Sequence, residues 1–300
     1  MSKNTVGKFI RGQCQLLNPS SAKDLFFTYN ECQKTCATGM SFSSYRKRCS
    51  EIFRGYVQAN TYEKPKFTEK VESENEVVGV IGDVHAPYDH PNYAQFCYDT
   101  FEKHGVGHVV AIGDISDNHA ISRHMTETCA MSPEEEYKKT LEHVRKYTEM
   151  FPIVDLCIGN HDKIPSRQVA TLGIPDVFLK SFSALWELPD TWNIVEDIII
   201  NGVYYFHGTG STGKTPAFNR ALNNRMSTVQ GHAHSAFGVT YHANSMNIVF
   251  GCDTGCGILS EAYAFEYGKP FPKKPVLGCS VIYSSTEAYA IPMGEKYFRS

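Results

Sequence analysis

The sequence predicts an α/β protein preceded by a small helical region. Three observations predict it. From Glu76 onward, apolar runs of strand length alternate with segments of helical period. Several of those runs end in a glycine followed by Asp, Asn or His, the kind of residue that α/β sheets present at the carboxyl ends of their strands. Residues 1–70 hold few strand-like runs and close on the polar, charged stretch from Glu63 to Glu76.

A chain of 300 residues suits one large α/β domain, or a medium one with an appendage. The formal net charge of -3 gives no global basic field that would argue for nucleic acid, although a local basic patch is compatible with it. Met1–Lys8 lacks the apolar core of a signal peptide, and no apolar run approaches the roughly 18 residues of a membrane span. The expectation is therefore a cytoplasmic protein with no membrane partner, its ten cysteines reduced. Cys252, Cys256 and Cys279 would need a fourth ligand and better spacing to hold zinc, and are expected as small buried thiols.

In chain order, Tyr29–Thr35 is expected as a helix with Thr28 as its N-cap, and residues 37–40 as a break. Ser41 or Ser43 would cap a second helix running to about Phe53. Tyr45, Cys49, Ile52 and Phe53 share one face of it, and Arg46, Lys47, Arg48 and Arg54 crowd the rest. Helix, turn and basic helix is the outline of a helix-turn-helix, so this region is a candidate DNA-contacting element; a helical cap with a solvated basic face has the same outline.

Val77–Ile81 is expected as a buried strand, 92–103 as a helix, His108–Ile112 as a strand and Ile153–Ile158 as another. Ser132-Pro133-Glu134-Glu135 reads as a helix start, with Tyr137, Leu141, Val144 and Tyr147 or Thr148 on the buried face that follows. A helix is expected over Val177–Leu188. Ile198–Phe206 reads as two short strands about the hairpin dipeptide Asn201-Gly202. Thr228–Gln230, Asn247–Phe250 and Ser280–Tyr283 complete a strand-rich second half.

Five segments carry glycine-linked metal-ligand types in order: Gly82-Asp83-Val84-His85, Gly113-Asp114-Ile115-Ser116-Asp117, Gly159-Asn160-His161-Asp162, His207-Gly208 and Gly231-His232-Ala233-His234. Each alone is weak; five in this order at strand ends are not a chance pattern. On these motifs the chain from about Val77 to its end resembles the calcineurin-like metallophosphoesterases. The resemblance implies a two-sheet α/β sandwich over 77–300, after a helical region 1–70 and a link 71–76. It also implies two divalent metal ions, one held by Asp83, His85 and His234, the other by Asn160, His207 and His232, with Asp114 between them. His161 would be the general acid, and Asp117 the carboxylate that orients it. Manganese is the first expectation; oxygen ligands mixed with imidazoles also suit iron, zinc or magnesium. Two cations about 3.5–4 Å apart neutralise phosphoryl oxygens and activate water. His119, Arg123 and His124, in the loop after Asp117, are further candidates for contact with substrate phosphate.

Two departures bear on the substrate. Protein phosphatases of this family carry Arg after the residue matching Asp117, where this chain has Asn118, and Glu where it has Asp162. The tandem His232-x-His234 resembles the phosphodiesterase and nuclease branches. A phosphodiester, nucleic acid or nucleotide, is thus expected over a phosphoprotein. A phosphomonoesterase is the alternative within the same chemistry, and a non-catalytic DNA-binding scaffold the alternative outside it.

Residues 208–215, Gly-Thr-Gly-Ser-Thr-Gly-Lys-Thr, also fit the Walker A pattern. That reading is set aside for three reasons. The loop begins directly after His207, Pro216 follows the Thr where a P-loop helix should be in its first turn, and too little α/β sequence follows. A glycine-rich loop lending N–H groups or Lys214 to a substrate phosphate is expected instead.

Overall fold

The computed structural model describes residues 6, 8–10, 12–13, 25, 28–36, 40–61, 68–69, 76–122, 130–211, 213–259, 262 and 274–297, and of 53–61, 68–69 and 176 the backbone alone. The chain divides into two compact units, Met1–Lys66 and Phe67–Ser300.

In the larger unit the strands form two six-stranded sheets. The first holds β1 (Thr68–Glu69), β6 (Asp197–Ile200), β7 (Val203–Phe206), β8 (Ser227–Gln230), β9 (Phe237–Ala243) and β10 (Ile248–Thr254), in the order β1-β6-β7-β8-β10-β9. The second holds β2 (Val78–Ile81), β3 (His108–Ala111), β4 (Val154–Cys157), β5 (Trp192–Val195), β11 (Gly278–Ser284) and β12 (Glu287–Pro292), in the order β12-β11-β2-β3-β4-β5. With flanking helices this is the expected two-sheet α/β sandwich. Thr68 and Glu69, read from the sequence as part of the N-terminal region, pair with Ile198 and Ile199.

Strand β2 is buried along its whole length, as a strand covered on both faces must be. Its pleat sends alternate residues to different cores. Val78 and Val80 join Val110, Ile198, Tyr205 and Phe250 between the sheets. Ile81 joins Phe101, Val144, Tyr147 and Leu156 under the helices α3 (Tyr93–His104) and α4 (Pro133–Met150). Each such side chain contributes about 1.5–3 kcal/mol on burial. The strands are therefore anchored by residues distinct from those at their ends.

The strand ends converge by topology. In one sheet β2, β3, β4 and β5 run parallel; in the other β7, β8 and β10 do. The loops after β2, β3, β4, β7 and β8 carry the five motifs, so all five open at carboxyl ends of parallel strands.

Local signals decide several elements. Ser132 caps α4 by accepting from Glu135 N at 3.3 Å, with Pro133 in the first turn. Asn201 and Gly202 both have positive φ, 50° and 73°, and join the antiparallel β6 and β7. The buried face of α4 is Glu136, Thr140, Val144 and Tyr147, more polar than expected; Thr140 and Tyr147 hydrogen-bond to Ala86 O and Asp89, which tethers the loop after β2.

The helix expected over Val177–Leu188 is not formed. A 3-10 turn at Asp176–Phe178 is followed by the single turn α6 (Phe182–Leu185), capped by Ser181. Val177 and Phe178 are 84% and 76% exposed, so an apolar face here has no core to seat it. Glu187, at φ 52°, ends the segment. Strands β5, β9 and β12 and the helix α5 (Ile164–Thr171) were not expected.

In the smaller unit, α1 (Tyr29–Cys36) and α2 (Phe42–Thr61) pack Cys32, Cys36, Tyr45 and Cys49 together with Val6, Ile10 and Leu25. Ser41 caps α2 by accepting from Ser44 N. Thr28, expected as the cap of α1, donates its hydroxyl to Leu25 O at 2.7 Å and lies 2.7 Å from Tyr45 OH. The expected turn residues 37–39 and link residues 70–75 lie outside the described residues. Among the described residues no helix is long and apolar enough to cross a membrane.

Candidate metal centre

The site is built from five loops whose backbones take unusual shapes. His85, Asp114, Asn118 and His232 all have positive φ, 55°, 47°, 58° and 65°, although none is glycine. That region is sterically costly for residues with a Cβ and concentrates at functional sites. Glycines make room beside them. A Cβ at Gly231 would run into Asp83 Oδ1, and one at Gly159 into the Asp114 carboxylate.

Three groups of side chains converge: Asp83, His85 and His234; Asp114, His207 and His232; and His85, Asp117 and His161. In each group the ligand-type atoms lie within 4.8 Å of one another. Asp114 Oδ2 joins the first two, at 3.6 Å from His85 Nε2 and 3.1 Å from His207 Nε2. Asn160 Oδ1 lies 2.9 Å from His207 Nε2. All nine residues named from the sequence, seven as ligands and two as catalytic groups, thus meet at one end of the sandwich.

Acceptor-type atoms crowd together here in a way that suits a cation. His207 Nδ1 lies 3.0 Å from Ile112 O, so it carries that ring's proton and leaves Nε2 as a lone pair. That lone pair faces Asn160 Oδ1 and Asp114 Oδ2, two further acceptors. His85 Nδ1 lies 2.5 Å from Asp117 Oδ1, which likewise directs the Nε2 lone pair toward His234 Nε2, 3.1 Å away. Asp83 Oδ2 accepts from His232 N at 2.6 Å, while the buried Oδ1 accepts no hydrogen bond. Converging lone pairs with an orphaned carboxylate oxygen fit divalent cations held by oxygen and nitrogen donors.

The ionisation shifts follow the same logic. Burial opposes charge on Asp114, but the imidazoles of His207, His85 and His161 hold its carboxyl well below the usual range. Burial also disfavours a charged His207, yet Asp114 and Asp83 hold it up at about 9; a second proton there occupies the place a cation would take. His232 is lowered, by burial and by the facing His207.

Asp117 does more than expected. Its Oδ1 lies 3.2 Å from His161 Nδ1 as well as against His85, and its backbone O lies 2.8 Å from His161 Nδ1. Burial pushes the His161 imidazole down, but its bond to Asp117 and the charges of Asp114 and Asp117 outweigh that, leaving it at about 10.

Other supports were not read from the sequence. Asp162 accepts from Ser116 N and Oγ and from Gly159 N, which ties the loops after β3 and β4 together. Glu136 accepts from His119 N and Ala120 N, both at 2.6 Å. Asn118 donates to Ser116 Oγ and His161 O. His119, expected toward substrate, is buried, with its ring edge-on to Tyr88. Arg123 and His124 lie outside the described residues.

The loop after His207 departs from a P-loop in a different way than expected. Pro216 does not block a helix; it opens α7 (Pro216–Asn224). The amide of Ala217 at that helix start donates to Asp253 Oδ1 at 3.2 Å. A carboxylate thus stands where a P-loop would receive phosphate. Cys252 donates to Ser280 Oγ and Cys256 to Val276 O, and neither belongs to a metal-capable group of the described residues.

No curated protein sequence matches the chain. Similar solved structures include Vacuolar Protein Sorting 29 from Cryptosporidium parvum (11% identity, 70% of this chain and 86% of that one, TM-score 0.37). Others are YfcE, a phosphoesterase from E. coli (11%, 72% and 99%, 0.36), and Vps29 from Chaetomium thermophilum (9%, 69% and 83%, 0.35). The family model for calcineurin-like phosphoesterases matches residues 77–251, more than half of the chain and all five motif loops. The chain belongs to the calcineurin-like phosphoesterase family.

Proposed function

We propose that the protein hydrolyses a phosphodiester, nucleic acid or nucleotide, with two divalent cations, manganese first among them. Asp83, His85 and His234 would hold one, Asn160, His207 and His232 the other, and Asp114 both. The observation that carries this is the convergence of His207 Nε2, Asn160 Oδ1 and Asp114 Oδ2, three atoms that each offer a lone pair to a cation once the His207 ring is neutral. When bound, such cations neutralise phosphoryl oxygens and lower the pKa of an attacking water.

The chain's own part is orientation and proton transfer. Asp117 fixes the His85 tautomer through Nδ1, and Ile112 O does the same for His207, as carboxylates and carbonyls do behind metal-binding imidazoles. His161 is held at Nδ1 by Asp117, which leaves Nε2 to donate a proton to the departing oxygen. Asn118 supports the diester reading, because its amide is spent on Ser116 and His161 rather than clamping a dianionic monoester.

Turnover of bis-(p-nitrophenyl) phosphate and p-nitrophenyl phosphate, with Mn²⁺ and then with chelator, tests this. Chelator-sensitive turnover favouring the diester is expected. Preference for the monoester would replace the diester reading, and no turnover of either ester would leave the scaffold reading. For the smaller unit, DNA contact is supported by α2, which buries Tyr45 and Cys49 and exposes Arg46 and Lys47. Deleting residues 1–66, which spares β1, should weaken salt-sensitive DNA retention; unchanged retention rejects the idea. A reducing, cytoplasmic setting is compatible with the eight described cysteines, all of them buried.

A further inference from the structure

A cavity of about 400 Å³ adjoins the centre, walled by the helix α5 and by Ser122 just past the 3-10 turn His119–Ile121. That volume falls within the range of small-molecule sites. Asn160 and His161 line it and also belong to the centre, so cavity and centre share a wall. Its other lining includes Arg167, Gln168 and Thr171; among the described residues Arg167 is its one guanidinium and no carboxylate lines it. Arg167 is held in place from within the chain. Nε donates to Lys163 O at 3.4 Å, and one terminal nitrogen donates to Asn160 O. The planar fork is thereby oriented beside the centre, and among the described residues its other terminal nitrogen has no hydrogen-bond partner, a geometry suited to phosphate oxygens.

Resting on the phosphodiester reading above, we propose that this cavity receives the leaving-group side of the substrate and that Arg167 pairs with a second phosphate carried by that group. In-line displacement puts the leaving oxygen opposite the attacking water, on the side of the group that protonates it. That group is His161, whose ring lines the cavity, so the departing alcohol projects into it. A departing alcohol that bears a further phosphate is what each internal linkage of a nucleic-acid strand provides; a phosphoserine or a simple alkyl ester provides none.

Three dinucleotides test it: dTpdT, and the same with a terminal phosphate at the 5′ or the 3′ end. One of the two phosphorylated forms should show kcat/KM about 10- to 100-fold above dTpdT, mainly through KM, as expected for a charge-assisted bond. Arg167→Ala should bring that ratio to about 1, and Arg167→Lys should keep part of it. Arg145→Ala, at an exposed ion pair on α4, should leave the ratio alone. Loss of the bond to Asn160 would instead slow all three substrates alike and leave the ratio standing. Equilibrium titration of the same dinucleotides in chelator reads the contact without turnover, and the phosphorylated form should bind more tightly to the wild type than to Arg167→Ala. Hydrolysis or binding that ignores the terminal phosphate overturns this inference and spares the phosphodiesterase reading. Arg167-dependent binding without any turnover does the reverse.

Discussion

The two sheets furnish their halves of the centre by different means. The loops after β2, β3 and β4 supply every carboxylate, Asp83, Asp114 and Asp117, together with His161, and are braced by side chains brought from elsewhere. Asp162 joins the loops after β3 and β4, Glu136 holds the loop after β3 from α4, Thr140 and Tyr147 tether the loop after β2, and Asn118 bonds across to His161. The loops after β7 and β8 supply His207, His232 and His234 and are braced by backbone. Gly231 N bonds His207 O at 3.0 Å, and Ala233 N bonds Gly231 O at 2.7 Å. The difference is electrostatic as well as mechanical. The carboxylate half holds His207 up, while His232, on the imidazole half, goes down. Carboxylates on one side and imidazoles on the other is an arrangement that a cation placed between them would balance.

Removing charge from the carboxylate half should therefore cost most. Asp83→Asn should lower kcat by at least about a thousandfold, the upper range for losing one preorganised electrostatic group. Its circular dichroism should match the wild type, because Val78, Val80 and Ile81 anchor β2 independently. Turnover near wild type would break the comparison. On the imidazole half, Gly231→Ala should act by crowding, since the new methyl meets Asp83 Oδ1. A 10- to 100-fold loss of metal affinity is expected, about that of a displaced supporting group, read by titration with Mn²⁺.

Asp117→Asn probes both of its duties. Losing the carboxylate weakens the support of His85 and lets the His161 imidazole fall from its raised position near 10. With His161 as the proposed general acid, its acid form is the active one, so activity should be lost as pH rises through its pKa. The alkaline limb of the pH–kcat profile should accordingly move to lower pH in this variant, with kcat about 10–100-fold down. An unmoved limb would remove His161 from its role.

The smallest effect belongs to a brace. Burial lifts the Glu136 carboxyl to about 7, from an ordinary value of 4.5. A group bound more tightly to its proton when folded stabilises fully below 4.5, and that contribution is lost as pH rises through 7. Glu136→Gln should flatten the fall of unfolding free energy across that window. An unchanged slope would show that the carboxyl does not titrate there.

What the sequence disclosed follows from how local each signal is. The motif loops, the Asn201-Gly202 hairpin and the Ser132 cap are contiguous, so their residues point to the structure directly. Asp162 and Glu136 are legible only through backbone amides 46 and 17 residues away, which no spacing rule reaches. Strand β9 has an incompletely buried face, and β12 opens on Glu287, closes on Pro292 and buries only Ala288 fully, so neither offers a clean apolar period. Over 177–188 the apolar period was present, but no partner surface receives Val177 and Phe178. Pro216 misled for another reason: proline opposes a helix interior but favours its first turn.

If cations reconcile the two halves, activity must follow their binding. Metal content and diester turnover, measured together on chelated wild-type protein titrated with Mn²⁺, test it most directly. No turnover is expected before addition, and turnover should rise in step with filling to two Mn²⁺ per chain. Turnover that persists without metal, or two bound ions that bring none, would contradict it.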